Sequence, residues 1–145
     1  MRNKNSMTLS FSSIAQNEAF ARMAVAAFIM PLDPTVSEIT DIKTAVSEAV
    51  TNSIIHGYSN NSNGDICLMC SYENRNVYID IIDQGKGIED IKRAMTPLYT
   101  SMPEMERSGL GFTVMETFMD RLDVSSEVGK GTHISMLKTL GDRSE

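Results

Sequence analysis

Two pairs of strand-like segments, each doubling back across a short polar turn, constrain most tightly what this chain can fold into. Residues 65–72 and 77–83 alternate or run apolar around the polar stretch 73–76, which reads as a hairpin turn. Residues 122–128 and 131–137 repeat the arrangement around Gly129 and Lys130. Strands joined this closely pair antiparallel. Residues 7–13 alternate as well, with Met7, Leu9 and Phe11 on one side, and predict a further strand. Helix-forming stretches lie between these strands. Residues 17–30 carry an apolar surface of Phe20, Met23, Ala24, Ala27 and Phe28 and end at Pro31. Asp33 as cap and Pro34 in the first turn predict a second helix that runs to about His56, with Gly57 at its end. A short helix is expected over 88–94 and a longer one over 109–119, while 95–108 shows no period. About 14 aperiodic residues is long for a loop in a compact domain and predicts a lid or binding loop. The order β-α-α-β-β-α-β-β predicts an α+β two-layer sandwich in one domain, 1–145, with helices on one face of a mixed, mostly antiparallel sheet.

Composition excludes several function classes. The chain has 145 residues, 13 Lys plus Arg against 19 Asp plus Glu, and a net charge of -6. It lacks the basic footprint of a nucleic-acid or anionic-membrane binder. Its longest apolar run, 23–32, is too short to span a bilayer, and its first residues carry no signal-peptide core. A cytoplasmic location is expected. Cys67 and Cys70 form a C-x-x-C, but the segment reads as a strand, whose residues i and i+3 face opposite ways. No second cysteine pair accompanies them, so they are expected to pack as small hydrophobes.

Four short constellations carry possible chemistry. On the second helix, Glu48, Asn52 and His56 are spaced four apart and cluster within about 80° at 100° per residue. Ile39, Ile42, Val46, Ala49 and Val50 form the core stripe opposite. The plainer reading is a solvated polar face; the apolar Ile55 beside Glu48 and Asn52 argues that something covers that side. Next, Asp83 ends a strand and is followed by Gly85 and Gly87. A carboxylate accepts from the exocyclic amine of adenine, and residues without Cβ let backbone lie close to a flat base; alone, the motif is an ordinary turn. The third is Arg107-Ser-Gly109-Leu110-Gly111, a glycine-rich entry to a helix, where free N–H groups and an arginine fork favour phosphate. The last is Gly129-Lys-Gly131-Thr132, by itself a hairpin turn. There is no Walker A loop and no G-x-G-x-x-G.

Taken in order, the four motifs resemble the boxes of the gyrase, Hsp90, histidine-kinase and MutL (GHKL) ATPase superfamily. The stretches NEAFAR at 17–22, SEAVTNSIIHGY at 47–58 and PLYTSMPEMERSGLGF at 97–112 are similar to one branch of it, the sporulation anti-sigma F family of serine-protein kinases, and the likeness extends over essentially the whole chain. The resemblance implies a Bergerat-fold kinase that binds ATP and Mg²⁺, holds sigma F inactive and phosphorylates a serine of the anti-anti-sigma factor. It implies that Glu48 is the general base and Asn52 a Mg²⁺ ligand. It further implies that Asp83 reads adenine, and that Gly85, Gly87, Thr100, Ser101, Gly109, Leu110, Gly111 and Thr132 shape the nucleotide pocket. Arg107 would meet the γ-phosphate, Arg22 would contact protein partners, and the protein would be a homodimer. Met102 stands where the family usually carries a lysine after the Thr100-Ser101 pair.

Three readings compete. The favoured one is an anti-sigma factor that is also a serine kinase, for sigma F or, as a paralogue, for a stress-type sigma factor. A detached histidine-kinase ATPase domain is disfavoured by the lack of a helix pair with a phospho-accepting His; His56 and His133 fit the second helix and the last strand. A module using ATP only as a structural ligand needs neither Glu48 nor Arg107.

Overall fold

The computed structural model describes residues 4–95 and 111–142. Five strands form one sheet in the order β1-β2-β3-β5-β4, comprising β1 (Lys4–Ser12), β2 (Asp65–Glu73), β3 (Asn76–Asp83), β4 (Arg121–Glu127) and β5 (Gly131–Thr139). All four pairings are antiparallel, so the mixed character expected from sequence is absent among the described strands. Both hairpins form where the turn chemistry places them. Asn74 takes the left-handed conformation in the first (φ 57°), which asparagine tolerates better than most side chains.

One face of the sheet carries the core. Ile66, Leu68, Cys70 and Tyr72 on β2, Val77, Ile79 and Ile81 on β3, and Ile134 and Met136 on β5 are buried at alternate positions, as a strand with one covered face requires. The helices α1 (Gln16–Phe28), α2 (Val36–Asn52) and α4 (Gly111–Phe118) cover that face, and α3 (Ile91–Ala94) is a single short turn. Helix α2 lies between α1 and α4 and buries Ile42, Ala45, Val46, Ala49 and Val50. Each fully buried aliphatic side chain contributes about 1.5–3 kcal/mol. The Lys138 ammonium, donating to the Phe118 carbonyl (2.7 Å) and to Asp41 (3.3 Å), ties β5 to the helical layer.

Several local expectations are corrected. Helix α1 buries Ala21, Val25 and Ala26, whereas Phe20 and Met23 are exposed. Small residues let α1 approach α2 closely, and Phe20 and Met23 turn outward. The cap of α2 is Thr35, not Asp33. The Thr35 hydroxyl accepts from the Glu38 amide and the Glu38 carboxylate accepts from the Thr35 amide, a reciprocal box. Asp33 instead closes a 3-10 turn (Met30–Leu32) in the left-handed conformation. Ile39 is only half-buried, and Ala45 takes its place in the core stripe. Regular α-helix stops at Asn52, and Ser53–Gly57 form a π turn. The short helix expected from residue 88 begins at Ile91. Cys70 faces the core, where burial pushes its thiol up to about 12, while Cys67 is half-buried on the other face; both are free. His133 belongs to β5, as expected, and its ring pairs with Asp80 on β3 (2.8 Å).

Candidate active site

The end of α2, the end of β3 and the start of β5 meet at one edge of the core. Asp83 is the last residue of β3 and is buried at 2 % exposure. A buried carboxylate needs partners, and Asp83 has them. The Ser53 hydroxyl donates to Oδ2 at 2.7 Å and the Gly85 amide donates to Oδ1 at 2.9 Å. Burial raises the Asp83 carboxyl above the usual carboxylate range, and the Ser53 hydroxyl with the Gly85 and Thr132 amides draws it part of the way back.

The π turn makes the Ser53 contact. The helix widens at Ser53, where the Tyr58 amide bonds the Ser53 carbonyl five residues back (2.9 Å). Such insertions recur at functional sites because they re-aim side chains. Here the widening starts at the residue after Asn52, and the Ser53 hydroxyl is held on Asp83. The uniform 100° spacing assumed for Glu48, Asn52 and His56 therefore holds for the first two and fails for His56, which lies in the π turn. Glu48 and Asn52 occupy the last turn of α2 and are half-buried, in keeping with a partly covered face rather than a freely solvated one.

The loop after β3 is sewn down at close range. The Lys86 amide donates to the Gly57 carbonyl (2.9 Å) and the Gly129 amide to the Lys86 carbonyl (2.7 Å). A Cβ on Gly85 would sit 2.2 Å from the Gly57 carbonyl oxygen, so no side chain fits there. Gly131, with φ +105°, passes so near Asp83 that a Cβ would lie 2.0 Å from the Asp83 carbonyl oxygen. Gly87 packs over the Glu127 carbonyl. Buried Thr132 shares a hydrogen bond with the Ser126 hydroxyl (2.9 Å). Ser126 also donates to the Gly131 carbonyl (2.8 Å) and accepts from the Ile88 amide (2.7 Å). Thus Asp83, Gly85, Gly87 and Thr132 converge, alongside the helix end that bears Glu48 and Asn52.

The other expected positions divide into three groups. Gly111 opens α4, whose Phe112 and Met115 are buried. Thr100, Ser101, Arg107, Gly109 and Leu110, with the expected lid, lie outside the described residues. Arg22 sits apart on α1, half-exposed, with Nε 3.3 Å from Glu18, whose carboxylate also accepts from Ser47. Sequence reasoning missed Ser53, Ser126 and Tyr58. A hydroxyl directly after Asn52 was the one available signal for Ser53.

The cradle fits a purine nucleotide. It offers a buried carboxylate acceptor for an exocyclic amine, beside backbone that lies close enough to exclude side chains. Among the described residues no three His, Cys, Asp or Glu side chains cluster to hold a metal ion by themselves, so a magnesium ion here would depend on Asn52 and the nucleotide. The Asn52 amide oxygen would be the protein ligand and phosphate oxygens would supply most of the rest, as this cation favours. An open groove of about 360 Å³, lined by Tyr58, Gly64, Gly85 and Lys86 among others, adjoins this corner through Gly85, and Glu48, Asn52 and Asp83 do not line it.

The chain is similar to known proteins over most of its length. The family model of the histidine kinase-like ATPase domain matches residues 12–138. The anti-sigma F factor of Clostridium novyi is 60% identical over 136 residues, covering 94% of this chain and 95% of that protein. The anti-sigma F factor of Clostridium botulinum strain Eklund 17B is 63% identical, covering 93% and 94%. This chain belongs to the anti-sigma F factor family of histidine kinase-like ATPases. More distant solved structures share the fold. The RsbU and RsbW domains of a Mycobacterium tuberculosis protein match with a TM-score of 0.70 at 17% identity, over 97% of this chain and 34% of that one. The histidine kinase domain of a blue-light activated kinase from Erythrobacter litoralis matches with a TM-score of 0.54 at 23% identity, over 72% and 46%. Among the described residues no helix is long and apolar enough to cross a membrane.

Proposed function

We propose that this chain is a single-domain, ATP-dependent protein serine kinase and anti-sigma factor. It sequesters a sporulation sigma factor, sigma F, and phosphorylates a serine of the cognate anti-anti-sigma factor. The observation that carries the reading is the direct link between Asp83 and Ser53 (2.7 Å). It joins the adenine-reading carboxylate to the helix end bearing Asn52 and Glu48, so base recognition and phosphoryl transfer share one rigid corner. The kinship with anti-sigma F factors supplies the partner class.

Bound magnesium neutralises phosphate charge, the main requirement of phosphoryl transfer. The residues do the rest. Asp83 accepts from the adenine amine, and Gly85, Gly87, Gly111 and Thr132 shape the pocket with Thr100, Ser101, Gly109 and Leu110. Asn52 offers its amide oxygen to the ion. Arg107 meets the γ-phosphate. Glu48 takes the proton from the partner's serine hydroxyl as its oxygen bonds the γ-phosphorus and the bond to the departing ADP oxygen breaks. Arg22 contacts protein partners, and the protein works in the cytoplasm as a homodimer.

Incubation with radiolabelled ATP, Mg²⁺ and the anti-anti-sigma protein tests this. Label is expected on a partner serine. Glu48→Gln should slow transfer by about 10²–10⁴-fold, the usual worth of a general base, with ATP still bound. Label on a histidine of the chain itself, or tight ATP binding with transfer to no partner, would overturn the kinase reading. Sequestration of a stress-type sigma factor instead of sigma F would redirect the partner assignment.

A further inference from the structure

Tyr58 has no part in the roles above, yet it connects three separate stretches of chain at the nucleotide corner. Its hydroxyl accepts a hydrogen bond from the Gln84 amide at 2.7 Å and donates one to the Asp65 carbonyl at 2.6 Å. A phenol has one proton to give, so with these two partners its donor and one acceptor site are committed. Gln84 directly follows Asp83. Two residues on, Lys86 is bonded to Gly57, the residue before Tyr58. The loop is therefore held on both sides of Gly85, by a side chain at Gln84 and by backbone at Lys86. The ring itself is seated on Gly64, where a Cβ would come within 2.5 Å of a ring carbon.

We propose that Tyr58 is a positioning residue for the nucleotide base: it braces the Gln84–Lys86 loop against the start of β2, so that Asp83, held by the Gly85 amide, meets adenine in a preformed arrangement. The inference rests on the reading of Asp83 as the adenine acceptor. Tyr58 touches neither base nor phosphate; it acts through Gln84 and Asp83. Without the brace, the loop must be ordered when nucleotide binds, and that ordering weakens affinity. The weakening falls on ligands that use Asp83. Guanine, with a carbonyl where adenine has its amine, does not gain from Asp83 and should not notice.

Nucleotide titrations with ATP and GTP on the intact protein, with transfer kinetics on the anti-anti-sigma partner, test the brace. Tyr58→Phe keeps the ring and removes the hydroxyl. It should raise the Kd and KM for ATP by about 5–10-fold, the worth of one hydrogen bond, leaving kcat at saturating ATP and GTP affinity within about two-fold. The ATP-to-GTP preference narrows accordingly. Gly64→Ala keeps the hydroxyl group but pushes the ring, and the hydroxyl with it, off its seat, and should narrow the preference in the same way. The double variant should be no worse than either single one, because both remove the same brace. Unchanged ATP affinity in Tyr58→Phe would overturn the proposal. So would equal losses for ATP and GTP with a falling kcat, the mark of a merely structural role. An Asp83→Asn variant with full ATP affinity would instead remove the adenine reading on which the brace depends.

Discussion

The nucleotide corner and the outer face of α1 are built on opposite principles. At the corner, the Asp83 carboxylate, the Ser126 hydroxyl and the Tyr58 hydroxyl each have two or more partners within 3 Å. Backbone lies close enough there to exclude a side chain at Gly85. On α1, Phe20 and Met23 are 52 % and 57 % exposed, and Arg22 is held by one carboxylate at the end of a long, partly solvated side chain. Among the described residues the corner is already hydrogen-bonded without ligand, so for that part the ordering cost of nucleotide binding falls largely on folding. Among the described residues the α1 face leaves Phe20 and Met23 exposed, which fits a surface that meets other proteins. Substitutions should therefore separate cleanly: corner variants should change nucleotide affinity and leave partner affinity alone, and α1 variants should do the reverse.

Asp83→Asn makes the largest break in that comparison. The asparagine oxygen still accepts from the Gly85 amide, and the Ser53 hydroxyl can turn to accept from the new amide group. What is lost is a charged acceptor, and ATP affinity should fall by about 10–100-fold, the worth of a charge-assisted hydrogen bond. Sigma-factor affinity in pull-down or calorimetry should stay unchanged at saturating nucleotide. The pH dependence has a definite sign. Because burial raises its folded carboxyl, Asp83 favours the protonated folded state. Its contribution to stability is full below the ordinary carboxylate range and is lost as pH rises through the raised value. Nucleotide acts against this, since the ionised form is the stronger acceptor. ATP affinity should thus decline as pH falls toward the Asp83 range, and that part of the decline should vanish in Asp83→Asn. Without nucleotide, the variant should melt no lower than wild type at neutral pH. A variant that melts well below wild type would mean that the carboxylate is a structural keystone.

How far the sequence foretold these two regions follows the same division. Strands, hairpin turns and the Asp83 loop were legible, because alternation and turn residues report local backbone states. The face of α1 was not: Ala21, Val25 and Ala26 pack inward while Phe20 and Met23 point out, and hydrophobicity alone ranks the bulkier set as core. The cap of α2 was misplaced because Asp33-Pro34 and Thr35-Glu38 both make good helix starts. The local sequence does not say that Asp33 is taken by the preceding turn. The corner's bonds were hidden for another reason. Ser53 to Asp83 spans 30 residues and Tyr58 to Gln84 spans 26, and no periodicity encodes contacts at that separation. Glu48, Asn52 and Asp83 were singled out from family likeness and spacing, whereas the residues that bond around Asp83 emerged only with the fold.

Arg22→Ala tests the other side of the comparison. Its ion pair with Glu18 is partly exposed (40 % and 23 % side-chain exposure), so little stability should be lost with it. Truncating an interface arginine typically costs more than its stability contribution indicates. Affinity for the sigma factor or the anti-anti-sigma factor should fall by about 10-fold, equal to about 1.4 kcal/mol, with ATP affinity unchanged. Calorimetry with each partner separates the two. Retention of full affinity for both would remove Arg22 from the docking face, and a loss of ATP affinity would mean that α1 and the corner are coupled through Glu18 and Ser47.

The smallest expected effect probes the helix that runs between the regions. Thr35→Ala removes one half of the capping box at the start of α2, which should cost about 1 kcal/mol. In a domain of this size that is a fall of about 3 °C in Tm. Glu48 and Asn52 stand at the opposite end of the same 17-residue helix, about 20–25 Å away at 1.5 Å per residue. Between cap and corner, α2 is gripped on its buried face by Ile42, Ala45, Val46, Ala49 and Val50. A frayed first turn should stop at that grip, leaving ATP affinity and the transfer rate within about two-fold, as expected for distant independent sites. A ten-fold loss of transfer in Thr35→Ala would show that α2 moves as a lever. The corner would then depend on the far end of the helix and could not be complete on its own.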